Sequence, residues 1–184
     1  MRKFAYWHLT DLYTPNEVKE IVDLFEKHHT PELYDRPATA IEKTSAVKLA
    51  DWYKVKHMLG RAEEAAKFIN SSQIGYDIYS MTDYHCANYN IYDSKNLGKY
   101  DWHIDASADE CPTDIKLTVL INVSTDKYKG GEFEMFRQDI VRVEEINNPG
   151  SVIVFPGFWP HRVLPVTSGT RRTVSFWIEG PKFR

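Results

Sequence analysis

The chain has 184 residues, 42% of them hydrophobic and 27% charged, with a formal net charge of −3. That is ordinary globular composition, long enough for one domain with a real core. It excludes the basic footprint of a nucleic-acid binder, and no apolar run approaches the roughly 20 residues that span a bilayer.

The first residues, Met1-Arg2-Lys3-Phe4-Ala5-Tyr6-Trp7-His8, are basic and then aromatic, too short and polar for a secretory core segment. Thr14-Pro15-Asn16-Glu17 has the pattern of a capping box with proline at the first helical position. Val18, Ile21, Val22 and Phe25 follow at helical spacing, and His28-His29 and Pro31 mark the end. Residues 31–46 show no clear period. A second helix is predicted from about Val47 to Ile69, because Trp52, Val55, Leu59, Ala62, Ala66 and Ile69 draw one apolar stripe. Gly60 is where it would bend, since glycine weakens a helix interior.

After Ser71 the texture turns to short β-branched and aromatic runs punctuated by Gly, Pro, Asn and Asp. The predicted strands are Asp77–Ser80, Tyr84–Tyr92, Lys99–Ile104, Ile115–Ser124, Gly131–Phe136, Ile140–Glu144, Ser151–Phe155, His161–Val166 and Arg171–Glu179. Strands in series without intervening helices imply an antiparallel sandwich or jelly roll, mainly β, with the N-terminal helices covering one sheet. No repeat, linker or low-complexity tract divides the chain. The expectation is one domain over 1–184, with helical support over 14–70 and a β core over 76–180. The two cysteines, Cys86 and Cys111, make no disulfide framework and point to a reducing cytoplasm.

The chemistry is concentrated in the β half. In a strand, residues i and i+2 share a face, so His103 and Asp105 project together from one strand end. His161 opens a later strand after the turn Pro156-Gly157-Phe158-Trp159-Pro160. Two imidazoles and one carboxylate are the facial ligand set of a non-haem Fe(II) oxygenase, which leaves the other positions open for cosubstrate and dioxygen. Ten residues beyond His161, Arg171 stands where a guanidinium could grip the far carboxylate of 2-oxoglutarate. Arg172, by strand alternation, points to the other face. The remaining histidines, His8, His28, His29, His57 and His85, read as structural or surface residues.

The segment Tyr100-Asp101-Trp102-His103-Ile104-Asp105 resembles the Tyr-x-x-His-x-Asp of prolyl-4-hydroxylase-like Fe(II)/2-oxoglutarate oxygenases. The apolar run Leu117–Ser124, the turn Tyr128-Lys129-Gly130-Gly131-Glu132-Phe133, and the blocks Pro149–Pro156 and His161–Arg171 resemble further parts of that family. The resemblance covers about Tyr84 to Pro181 and implies a double-stranded β-helix core, Fe(II), 2-oxoglutarate and dioxygen. It implies that His103, Asp105 and His161 hold the metal and that Arg171 holds the cosubstrate, aided by Tyr92, Asn122 and Ser175. It also brings Tyr100 and Trp102 towards the substrate channel. Trp159, two residues before the distal histidine, could shape the same mouth, and Trp177 shares the face of Arg171, Thr173 and Ser175. Lys116 is a candidate at the entrance, with a solvated lysine as the plainer reading.

The leading expectation is a hydroxylase acting on a peptidyl proline. The same chemistry on a free amino acid or small metabolite stays open, as does a catalytically silent β-barrel binding module that kept the fold. Neither nucleic acid nor membrane is expected as a partner.

Overall fold

The computed structural model describes residues 6–28, 43–105 and 111–183. Among the described residues, fourteen helices and strands carry the architecture, in the order β1 (Trp7–Leu9), α1 (Pro15–His28), β2 (Ala46–Asp51), α2 (Trp52–Ile69), β3 (Cys86–Asp93), β4 (Tyr100–His103), β5 (Thr113–Asn122), β6 (Lys129–Gly130), β7 (Phe133–Arg137), β8 (Asp139–Arg142), β9 (Val152–Pro156), β10 (His161–Val163), β11 (Val166–Ser168) and β12 (Thr170–Pro181). Their strand pairs are all antiparallel. The larger sheet runs β1-β9-β5-β12-β3-β2, the smaller β4-β10-β7-β8, and β11 pairs with β6.

Strand alternation splits the core in two. On β5, Leu117, Val119 and Ile121 face the helices, as do Val174, Phe176 and Ile178 on β12. They meet Val18, Ile21 and Phe25 of α1 and the stripe Trp52, Val55, Leu59, Ala62, Ala66 and Ile69 of α2. Phe25 stacks on Tyr89 at 5.5 Å between ring centroids, and Trp52 meets Phe176 at 5.0 Å. The opposite face of the same strands looks into the space between the sheets. There Tyr92, Leu120, Ile153 and Phe155 pack against Phe133, Met135 and Val163 of the smaller sheet. Each such side chain contributes about 2 kcal/mol on leaving water.

The capping box at α1 is formed as expected: the Thr14 amide donates to Glu17 Oε2 at 2.8 Å and the Glu17 amide to Thr14 Oγ1 at 3.3 Å. Arg61 then binds Glu17 Oε1 at 2.8 Å and ties α2 to the start of α1.

Several element boundaries differ from the sequence reading. Residues 46–51 are not the start of α2 but the edge strand β2, paired with β3 from Ala46↔Ile91 to Asp51↔Cys86. α2 begins only at Trp52 and runs through Gly60 without a break. Residues 77–80 form no strand; Tyr79 makes one backbone bond, to the Glu179 carbonyl, and follows the end of β12. The stretch expected as a strand over Ile140–Glu144 ends at Arg142 and passes into a 3-10 turn over Glu144–Asn147. The run His161–Val166 divides into β10 and β11, and β1 was not foreseen. His29, most of the 31–46 segment and residues 106–110 lie outside the described residues. No described helix is long and apolar enough to cross a membrane.

One turn fastens the N-terminal segment to the β core. Gly150 has φ +86°, its amide donates to the Asn122 carbonyl at 2.8 Å, and its carbonyl accepts from the Tyr13 amide at 3.1 Å. A Cβ there would stand 2.0 Å from the Tyr13 carbonyl oxygen. Gly150→Ala is expected to lower stability by more than about 2 kcal/mol, through clash and left-handed strain together. The shift in the urea midpoint measures it; an unchanged midpoint would mean the turn yields freely.

Candidate metal and cosubstrate site

β4 and β10 lie side by side with His103 directly opposite His161. Both imidazoles are buried and their centroids are 4.1 Å apart. Asp105 follows the end of β4, where its amide donates to the Gly157 carbonyl at 2.8 Å. That bond turns its carboxylate between the rings, with Oδ1 3.7 Å from His103 Nε2 and Oδ2 3.5 Å from His161 Nε2. These gaps are too long for hydrogen bonds. One ligand atom from each residue lies within 4.8 Å of the others, so a single ion could be shared.

The two rings are oriented by the same device. His103 Nδ1 donates to the Asp101 carbonyl at 2.7 Å and His161 Nδ1 to the Trp159 carbonyl at 2.9 Å. A carbonyl only accepts, so the proton sits on Nδ1 and the Nε2 lone pair is left for a metal. Burial, with the neighbouring His161, pushes the His103 pKa down to about 4 and keeps the ring neutral at pH 7. Tyr100 stacks on His103 at 3.5 Å, while Phe133 and Phe155 pack on His161 at 5.5 and 4.9 Å. Thr118 Oγ1 donates to Asp105 Oδ2 at 2.8 Å. Thr118 was not singled out in the sequence, although strand parity puts it on the inner face with Leu120. Thr118→Val keeps the shape and removes the donor. It is expected to weaken metal binding by about 10–100-fold, read by calorimetric titration of the divalent ion. Unchanged affinity would leave the carboxylate held by its backbone alone.

Behind the triad stands Arg171, on β12 opposite Tyr92 of β3. Its side chain is 0% exposed, and Nε, Nη1 and Nη2 have no hydrogen-bond partner among the described residues. A guanidinium buried without an acceptor is costly, so the arrangement calls for an anionic ligand. The Tyr92 ring centre lies 5.5 Å from the Arg171 Cζ. Burial pushes the Tyr92 hydroxyl up to about 12 against the opposing pull of Arg171, so it remains a donor. Thr173 Oγ1 and Trp177 Nε1, on the same strand face, are also buried without partners among the described residues.

The profile of the 2OG-Fe(II) oxygenase superfamily matches residues 84–179, more than half of the chain. The chain belongs to that superfamily. A PKHD-type hydroxylase of Xanthomonas campestris pv. campestris (strain 8004) is 34% identical over 89 residues, 48% of this chain and 37% of the relative. The chain thus spans well under half the length of that relative. A Pseudomonas putida prolyl-4-hydroxylase superposes with a TM-score of 0.72 at 15% identity, covering 97% of this chain and 94% of the other. The viral collagen prolyl hydroxylase of Paramecium Bursaria Chlorella virus-1, solved as a 2OG complex, gives 0.72 at 16% identity over 96% and 97%. The jelly-roll fold expected from the resemblance is therefore the fold of this chain.

The residues present fit the cofactors of the superfamily. Two imidazoles anchored through Nδ1, with one carboxylate, suit Fe(II), and Arg171, without a partner among the described residues, suits a carboxylate arriving with 2-oxoglutarate. The remaining site expectations divide. Ser175 is buried on the inner face of β12 and accepts a hydrogen bond from Asn90 Nδ2 at 3.2 Å. Tyr100 shares Trp102's parity but stacks on His103, since the β4–β10 register shifts between the His161 and Val163 pairs, and Trp177 pairs with Thr118 of the inner face.

Asn122 does not join them. Its amide nitrogen donates to the Ile146 and Asn147 carbonyls at 2.8 and 3.1 Å and its Oδ1 accepts from the Ser124 amide, so it fastens the 3-10 turn instead. Trp102 points to the outer face of the smaller sheet, where the Arg162 Cζ lies 4.5 Å from its ring and Phe136 meets it edge-on. Parity explains this, since His103 next to it points inward. The Trp159 ring stands at the rim between Phe158 and Arg137, and its carbonyl serves His161. Lys116 is buried rather than solvated, with its ammonium over the Phe183 ring and 3.7 Å from Asp114. Arg172 points outward to Asp126, as alternation requires.

Proposed function

We propose that this oxygenase hydroxylates a C–H bond of a peptidyl proline, consuming 2-oxoglutarate and dioxygen and releasing succinate and carbon dioxide. The observation that carries the reaction class is the buried Arg171, without a partner among the described residues, beside two histidines and one carboxylate whose ligand atoms converge. The prolyl substrate is supported by the prolyl hydroxylases that share the fold.

Bound Fe(II), with 2-oxoglutarate and dioxygen, would supply the oxidising power that the side chains lack. His103, Asp105 and His161 would hold the ion on one side and leave the other for ligands. Arg171 would take the distal carboxylate bidentately, with Tyr92 donating beside it. Phe133, Phe155 and the Tyr100 ring pack on the histidine rings and hold them in place while the Nε2 edges turn to the ion. Thr118 holds Asp105 Oδ2, which would leave Oδ1 for an ion shared with the histidines.

The test is Fe(II)-dependent succinate formation, with proline-containing peptide pools and free amino acids offered separately. A mass gain of about 16 Da on a peptide, one added oxygen, supports the reading. A gain confined to free amino acids would move the substrate to a small metabolite. No succinate with any substrate class would favour the silent binding module.

A further inference from the structure

Lys43, outside every motif of the sequence, reaches the inner face through a chain of three side chains. Its Nζ donates to Asn90 Oδ1 at 3.1 Å, and Asn90 Nδ2 donates to Ser175 Oγ at 3.2 Å. The second amide hydrogen has the Asn88 carbonyl at 3.4 Å. Asn90 and Ser175 are both buried. Asn90 sits opposite Thr173 in the β3–β12 register and reaches Ser175 diagonally. The Lys43 ammonium also stands 4.6 Å from the centre of the Tyr100 ring, the ring that stacks on His103.

The chain has a direction. An asparagine amide can face either way, donor or acceptor first. An ammonium has donors only, so it takes Oδ1 and turns Nδ2 towards Ser175. Having accepted that N–H, Ser175 Oγ must send its own proton elsewhere. On the same strand face, Arg171 and Trp177 offer donors and no acceptor, and the Thr173 hydroxyl makes no bond with it. We propose that Lys43 and Asn90 are positioning residues that turn the Ser175 hydroxyl into a fixed donor for the cosubstrate on the inner face that Arg171 shares. The inference rests on the 2-oxoglutarate reading of the site. It adds two residues, one at the Lys43 bridge and one on β3, that act through Ser175.

Asn90→Asp reverses the polarity without changing shape. An aspartate accepts from Lys43 and from the Ser175 hydroxyl, which then turns away from the cosubstrate. The experiment titrates 2-oxoglutarate into the Mn(II)-loaded protein by calorimetry, with Mn(II) affinity and melting temperature followed in parallel. Asn90→Asp is expected to weaken 2-oxoglutarate binding by about 10-fold, with Mn(II) affinity unchanged and the melting temperature held by the new Lys43–aspartate pair. In a Ser175→Ala background the same change is expected to cost no further affinity. Lys43→Met, which frees the amide to flip, is a second variant at a half-buried position, expected to weaken binding about 3-fold only when Ser175 is present. Equal losses in both backgrounds, or none in either, would overturn the relay. Failure of the unmodified Mn(II) protein to bind 2-oxoglutarate at all would overturn the cosubstrate reading and the relay with it.

Discussion

Replacing Arg171 by methionine is expected to abolish 2-oxoglutarate binding and, at the same time, to stabilise the ligand-free protein. The two effects have one cause. The guanidinium is 0% exposed and its three nitrogens have no partner among the described residues, so in the free protein it carries its desolvation cost uncompensated. Methionine keeps most of the stem volume, with its thioether sulfur in place of the Cδ methylene that lies against Gly131, where an added Cβ would stand 2.9 Å from Arg171 Cδ. The gain is expected at about 1–3 kcal/mol, with about 2–4 °C in melting temperature for each kcal/mol. The loss of a bidentate, buried ion pair is expected to weaken 2-oxoglutarate by at least about 100-fold, with divalent metal binding retained. Calorimetry and thermal melting check both halves. A variant that binds 2-oxoglutarate within a few-fold of the original would mean that another cation holds the carboxylate. One that melts lower would mean that Arg171 has a structural role of its own.

That trade of stability for a waiting charge explains what was legible in the sequence. Residues whose chemistry is awkward without a ligand stand out: His103, Asp105, His161 and Arg171 are each a poor choice for a barrel interior unless something binds there. Strand alternation in β5 and β12 was readable for the same elementary reason, since one parity is apolar for the helices. The misplaced residues failed on information that local pattern does not hold. Asn122 has the right parity, but its amide is claimed by the carbonyls of Ile146 and Asn147, about two dozen residues on, which no spacing rule announces. Trp102 turns to Arg162 and Phe136 on the outer face beside His103, a placement that a family motif over Tyr100–Asp105 does not announce. Residues 46–51 fit a helical stripe and an edge strand equally well; pairing with β3 decides between them. Lys43 and Asn90 were invisible because a relay needs three elements brought together, a bridge, β3 and β12, before any residue in it has a task.

His103→Ala is expected to remove the activity by removing the metal, and to leave the protein folded. The imidazole does little for the fold. Apart from packing, its Nδ1 satisfies one carbonyl, that of Asp101, at the end of a strand. Losing that bond and part of a buried ring costs about 1–3 kcal/mol, against a total of about 5–15 kcal/mol for a domain of ordinary stability. The cost to the site is larger. With one of three ligands gone, Asp105 and His161 can offer only two contacts to an ion, and the facial arrangement is lost. Metal affinity is expected to fall by more than the roughly 10–100-fold typical of outer-sphere changes. Succinate formation should fall to background, while circular dichroism and cooperative melting persist. His161→Ala is expected to behave alike, because His161 sits opposite His103 in register and uses the same Nδ1-to-carbonyl anchor. The pair of variants separates coordination from folding: a site built on both rings loses iron with either. If one variant kept full iron and normal turnover, that ring would be packing alone, and the third ligand would have to be sought elsewhere on the inner face.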